Sequence, residues 1–412
     1  MTLEPDLKHP DNLQDPFPAY RWLRDNDPVH WAETLKGWVI TRYEDVYNIL
    51  QQPLRYSADR FRKLGEEYAS KRPSVQDVAR LMRDWFIFRD PPDHTRQRRL
   101  LHKSFTPRDL DRMRPRIQQV VNDLFDRVEE RGEMDFIADF AFPLPASVIA
   151  IFLGCPVEDI DALKRWSDDI AAFVGGSQAE FDNIEAAKQG LTGMSDYFRE
   201  IIAQRRGHPR DDLITLMLAA EDDGEVMTPD EVVANCILLV VAGHETTTNL
   251  LGTGLYHLLR NPGQFELLRN DPALVNSTVE ELLRYDGPVP ALVRIATEEE
   301  EMHGQRLRPG QMLFPFLSSA NRDERKFPRP DEMDITRHPN RHLAFGYGIH
   351  FCLGGPLARV ESQIAFSTLL RRFEGIELVE ERPRYLPQIF LRGLEQLPIA
   401  FHPVAEARRA SA

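Results

Sequence analysis

Apolar residues recur at three- and four-residue spacing through most of this chain, which is the period of an amphipathic helix. The pattern predicts helices over residues 17–25, 43–51, 96–103, 109–131, 144–153 and 184–206. Strand-like runs are few, at 38–41, 312–315 and 397–401. Long helices with a minor β-sheet region predict a mainly α fold. The 30 prolines are scattered rather than massed in a linker, and no internal repeat is visible. Residues 1–412 therefore read as a single domain, with short flexible ends at about 1–12 and 404–412.

The clearest helix starts at Thr228. Thr228-Pro229-Asp230-Glu231 forms a capping box with proline at the first helical position. Its apolar pattern runs to Leu259, and Asn261-Pro262 stops it. Roughly 30 residues at ~1.5 Å each give ~45 Å, enough to cross a whole domain. The segment Ala242-Gly243-His244-Glu245-Thr246-Thr247-Thr248 interrupts the apolar pattern. A glycine there costs ~1 kcal/mol relative to alanine, and hydroxyls can bond back to helix carbonyls and bend the axis. One reading is a solvent-facing patch. The sharper one is a local distortion that sets Glu245 and Thr246 beside a ligand.

Composition narrows the class. Of 412 residues, 42% are hydrophobic and 28% charged, as in ordinary soluble globular proteins. A net charge of −14 argues against nucleic acid. The start has no signal-peptide pattern, and the most apolar stretch, 236–242, is far short of the ~20 residues that span a bilayer. A soluble, cytoplasmic protein with no membrane contact is expected. Three cysteines are too few for a disulfide framework. Cys155 and Cys236 sit in apolar surroundings and read as buried and inert.

Cys352 is different. It lies in Phe345-Gly346-Tyr347-Gly348-Ile349-His350-Phe351-Cys352-Leu353-Gly354, just before a helix-like run at 357–373. Gly346 and Gly348 permit a tight turn. The following helix N-terminus is expected to lower the thiol pKa. Zinc would need about four ligands, and only His350 or His342 is near. A nucleophilic cysteine would need a histidine base, for which His350 could serve. A thiolate presented to something large and flat is the third reading.

The ten residues 345–354 resemble the haem-binding signature of the cytochrome P450 family of haem-thiolate monooxygenases. Ala242-Gly243-His244-Glu245-Thr246 resembles that family's oxygen-activation motif, and Glu281-Leu282-Leu283-Arg284 its Glu-x-x-Arg motif. The three occur in the family's order, and the similarity runs from Asp15-Pro16-Phe17-Pro18 to the end. The resemblance implies the P450 fold, a long central helix over haem b, in a single haem domain. It implies that Cys352 is the axial thiolate, within a cofactor site that includes Phe345, Gly346, Ala242 and Gly243. It implies that His94, Arg98, Arg294 and His350 face the haem propionates, and that Glu281, Arg284 and Arg337 form a structural ion-pair network.

The implied activity is insertion of one oxygen atom from O2 into a hydrophobic small molecule, by hydroxylation or epoxidation. Thiolate ligation favours O–O cleavage, with Glu245 and Thr246 relaying protons. Electrons are expected from a separate ferredoxin and ferredoxin reductase, because no cysteine cluster or extra domain is evident. Arg99, Lys103, Arg341 and Arg359 are candidates for a basic docking patch. Trp85, Phe86, Phe88, Leu239, Ala242, Val289, Leu292, Phe390 and Leu391 are the implied substrate pocket, and the charged stretch 57–85 a mobile lid. A monomer is expected. The alternatives are a peroxide-driven peroxygenase and a non-catalytic haem or ligand-binding protein.

Overall fold

The computed structural model describes residues 6–61, 73–104, 106–175 and 183–404. Helices dominate it. Those predicted from periodicity appear at Phe17–Asn26, Tyr43–Gln51, Asp93–Ser104, Pro107–Asp126, Pro143–Leu153 and Ile184–Gly207. The fourth ends at Asp126 rather than at 131, and a single 3-10 turn, Glu129–Arg131, precedes Gly132 at φ 69°. Ile160–Gly175, Pro262–Asn270 and Val275–Asp286 are further helices that periodicity did not single out.

The capping box at Thr228 is formed. Its hydroxyl accepts from the Glu231 N–H at 3.2 Å, and the Glu231 carboxylate accepts from the Thr228 N–H at 2.8 Å. The helix runs from Pro229 to Arg260, 32 residues, or about 48 Å. Every residue from Val232 to Val241 is buried, so this helix is the spine of the core. It passes through 242–248 without a break. The hydroxyls of Thr246 and Thr248 do bond back, to the carbonyls of Ala242 at 2.8 Å and His244 at 2.9 Å. They share those acceptors with the helix instead of breaking it.

The main sheet has five strands in the order Val29–Ala32, Gly37–Ile40, Met312–Pro315, Arg294–Ala296, Tyr56–Ser57. The central pairing of Met312–Pro315 with Gly37–Ile40 is parallel, and the rest are antiparallel. Strand Arg294–Ala296 is only three residues long and starts on a charge, so no alternation marks it in the sequence. The strand Pro398–Pro403 sits between Phe373–Leu378 and Glu133–Asp135 in a second sheet.

The expected N-terminal tail is shorter than 12 residues, because Pro10–Gln14 is helical. Gln14 exchanges hydrogen bonds with the Tyr385 backbone at 3.0 and 2.9 Å. Residues 1–5, 405–412 and the 62–72 part of the expected lid lie outside the described residues. Cys155 and Cys236 are buried, and burial pushes the first up to about 12 and the second well above its usual range. Among the described residues no helix is long and apolar enough to cross a membrane.

Glu281 and Arg284 are fully buried on one face of Val275–Asp286. Arg284 donates to both Glu281 oxygens, at 2.8 and 2.7 Å, and to the carbonyls of Asn321, Pro330 and Glu332. Glu281 also accepts from Arg337 Nε, Asn340 Nδ2 and the Asp334 N–H. The network pins the irregular stretch 321–340 to the helix just ahead of the cysteine loop. Replacing Glu281 by alanine would leave the Arg284 cation buried without its counter-charge. Glu281→Ala is therefore expected to lose about 3–5 kcal/mol in urea unfolding; a loss under ~1 kcal/mol would mean that the carbonyls alone satisfy Arg284.

Candidate functional site

The cysteine loop is shaped by its glycines and its backbone bonds. Gly346 and Gly348 both sit at φ 70°, where a side chain is strained. A Cβ on Gly348 would also lie 2.6 Å from the Leu50 carbonyl oxygen. The Cys352 N–H donates to the Phe345 carbonyl at 2.9 Å, and the Gly346 N–H to Leu343 at 2.8 Å. The helix Gly355–Arg372 begins immediately after, with proline in its first turn. Glu280, which periodicity did not single out, fastens this loop. It accepts from Arg359 at 2.6 and 2.9 Å and meets His342 Nε2 at 3.0 Å. Burial would raise its pKa, but the Arg359 and His342 contacts outweigh that and hold it at about 2.

Cys352 opens onto a cavity of about 350 Å³, within the range of about 300–1,000 Å³ that ligand pockets commonly hold. The N–H groups of Gly354 and Gly355 point at the cysteine sulfur. The expected lowering of the thiol pKa is nevertheless not realised. The Cys352 surface is exposed to the cavity, but crowding by the surrounding protein desolvates the sulfur; that outweighs those two donors and the charges of Arg98 and Arg359, and the net shift is upward. A metal bound to the sulfur would reverse that balance.

One wall of the cavity is the central helix, with Leu239, Ala242, Gly243, Glu245 and Thr246. The cysteine loop also lines it, with Phe345, Gly346, His350 and Cys352. Trp85, Phe86 and Phe88 form one side; Val289, Leu292, Phe390 and Leu391 form another. The expected pocket residues thus meet on a single cavity. Phe390 and Leu391 are held there by a cluster that sequence reading missed. Asp286, fully buried, accepts from Arg392 at 2.6 Å and Tyr385 at 3.0 Å and meets His257 at 2.9 Å.

Arg98, Arg294 and His350 also line the cavity. His94 lies behind His350, ring centroids 4.1 Å apart. All four ring nitrogens of the two histidines are buried without a partner. Burial, with nearby cations, pushes His94 down to about 4 and His350 to about 2, so at neutral pH each offers one N–H as a neutral donor. Arg98 donates to the Phe351 carbonyl at 2.5 Å and Arg294 to that of Val293 at 2.8 Å. Two guanidinium cations and unsatisfied imidazole N–H groups around one rim are what a dicarboxylate such as haem requires.

On the central helix, the Glu245 carboxylate lies 3.3 Å from His244 Nε2, which is 4.0 Å from Asp168. His244 is 2% exposed, whereas Asp168 is 45% exposed. The sequence named His244 only as a motif member; its place between a surface and a cavity carboxylate depends on the packing of Ile160–Gly175 against the central helix. Of the four residues of the expected basic patch, Arg341 is exposed, and the other three meet carboxylates. Arg99 and Lys103 pair with Asp222, and Arg359 with Glu280.

Glu361 is a further cavity residue that went unnoticed. It is 2% exposed, its Oε2 has no partner, and burial raises its pKa to about 8. Between about pH 4.5 and 8 the folded protein then holds a proton that the unfolded chain, with a carboxyl near 4.3, has released. Stability should fall as pH rises through that window and level off above it, by up to about 1.4 kcal/mol per pH unit. Glu361→Gln should be more stable than the parent at pH 8 but not at pH 5 in thermal melts; a gap independent of pH would refute this.

A sequence model described as "Cytochrome P450" matches residues 30–395. The chain is 40% identical over 413 residues to cytochrome P450 CYP107DY1 of Priestia megaterium, covering 96% of this chain and 98% of that protein. Its fold superimposes on cytochrome P450 CYP109Q5 from Chondromyces apiculatus with a TM-score of 0.88, at 33% identity, over 98% and 100% of the two chains. It also superimposes on P450BioI in complex with hexadec-9Z-enoic acid ligated acyl carrier protein, with a TM-score of 0.86 at 36% identity, over 95% and 99%. A cysteine thiol and a polar helix segment lining one apolar cavity, with a cationic rim, agree with what these matches say of the whole chain: it belongs to the cytochrome P450 family, the haem b-dependent monooxygenases.

Proposed function

We propose that the chain hydroxylates or epoxidises a hydrophobic small molecule, drawing its electrons from a separate ferredoxin system. The observation that carries this is the cavity itself, lined by Cys352, by Glu245 and Thr246, and by aromatic and aliphatic side chains around them. Haem, when bound, supplies the chemistry that activates O2. Cys352 would hold its iron, and Arg98, Arg294 and His350 would receive its propionates, with His94 packed behind His350.

The protein's own residues do the rest. Thr246 donates its hydroxyl hydrogen to the Ala242 carbonyl and keeps its lone pairs for a proton donor in the cavity. Glu245 holds or releases a proton at Oε2, the oxygen beside His244 Nε2. An acid and an alcohol in the same cavity as the sulfur favour O2 with electrons over peroxide, and serve no purpose in a passive binder. Trp85, Phe86, Phe88, Leu239, Val289, Leu292, Phe390 and Leu391 exclude water and offer apolar contact, which suits a greasy substrate. The neighbour P450BioI is in complex with an acyl carrier protein ligated to hexadec-9Z-enoic acid, a chain of that character. The cysteines support an electron source outside these residues. Two are buried and inert, the third faces the cavity, and none is left for an iron–sulfur cluster.

Two measurements test this reading. Reduced protein under carbon monoxide should show the strongly red-shifted Soret band of thiolate ligation, and Cys352→Ala should abolish it; a band typical of histidine ligation would sink the proposal. Thr246→Ala should reduce product formed per electron consumed by roughly ten-fold or more, while the substrate-induced spectral shift stays near that of the parent. Unchanged coupling would remove Thr246 from proton delivery.

A further inference from the structure

Eight arginines in the described chain are buried. Arg24, Arg205, Arg284, Arg322, Arg372 and Arg392 each pair with a carboxylate of the protein. Arg60 and Arg294 have no such partner among the described residues, and both line the cavity. We propose that Arg60 is a receptor for a carboxylate inside the cavity, acting together with Arg294. The inference rests on the haem-site reading above and adds a residue to it.

The energetic reason is direct. Arg60 is 9% exposed, and its Nε has no partner. Its guanidinium lies 5.0 Å from the Phe61 ring centroid and 4.7 Å from that of Phe88. Cation–π contact is weaker than the cost of burying a cation, so the rings alone do not offset its burial. Burial, with the nearby Arg294 charge, pushes Arg60 down to about 9, which still leaves it a cation at neutral pH.

A second orphan donor sits on the same aromatic patch. Trp85 Nε1 is buried without a partner, and its ring stacks on Phe88 at 5.8 Å and 12°. Two guanidinium groups and an indole N–H, set among Phe61, Phe88 and Trp85, suit a carboxylate attached to an apolar body. Either of two molecules can supply one: a propionate of haem, or an acidic group on the substrate.

The test uses the haem-loaded protein and its Arg60→Met variant, after absorbance shows that the parent holds haem; a parent without haem would overturn the functional reading instead. The first arm follows haem transfer to excess apomyoglobin, with haem and with haem dimethyl ester. Transfer at least roughly ten-fold faster in the variant, seen with haem but not with its ester, identifies the propionate. The second arm titrates dodecanoate and methyl dodecanoate by the spectral shift. A Kd raised at least roughly ten-fold for the acid alone identifies a substrate carboxylate. If neither arm distinguishes variant from parent, or if acid and ester respond equally, the proposal fails. Should Arg60→Met not fold, Arg60→Gln and Arg60→Lys repeat both arms. Gln is then expected to behave as the loss of charge and Lys to retain part of the effect; equal behaviour of the two overturns the proposal.

Discussion

The Glu281 carboxylate, with no exposure to solvent, is the contact on which the remainder of the site depends. A buried carboxylate is tolerable only when its lone pairs are filled. Here the filling groups come from Arg284, Arg337, Asn340 and the Asp334 backbone. Most lie in an irregular stretch that has no sheet or helix of its own to order it. Satisfying one buried charge therefore fixes the path of the chain for the residues before the cysteine loop. Glu280, one position earlier on the same helix, does the same for His342 and Arg359 on either side of that loop. Two adjacent carboxylates thus hold the frame from which the Cys352 sulfur is presented.

The cavity carries the opposite imbalance. In and just behind its rim there are more positive and donor groups than the described residues answer: His94 and His350 have ring nitrogens without a partner, and Arg60 and Arg294 meet no carboxylate among the described residues. The Cys352 thiol is pushed up by the same desolvation that pushes the histidines down. Each group disfavours its own charge in the protein alone. A metal bearing two carboxylates would relieve them together: Cys352 would hold the metal, and the carboxylates would meet the donors. Local polar groups that conflict with burial mark a site whose electrostatics are completed by a ligand.

Much of this was legible in the chain. The helices at 43–51 and 184–206 and the capping box at Thr228 follow from spacing and local hydrogen bonding, which act within a few residues. Cys352, Glu245 and Thr246 were visible because glycine placement and an interrupted apolar stripe leave marks in short windows, whereas the Glu281–Arg284 pair was legible only through the resemblance to the family. Arg60, Glu280, Glu361 and the Asp286–Arg392 cluster left none. Each is one polar residue in an unremarkable context. Nor was it legible that Arg99 and Lys103 of the expected basic patch meet Asp222 across more than a hundred residues of chain.

The sequence by itself determined the class of fold, the sulfur that faces the cavity and the polar segment that faces it from the long helix, because local periodicity and turn geometry are written in neighbouring residues. Only the tertiary structure decided which charges are answered and which are left open. That depends on burial and on partners far away in the chain, and a buried charge acquires its meaning from what is, or is not, within about 4 Å of it.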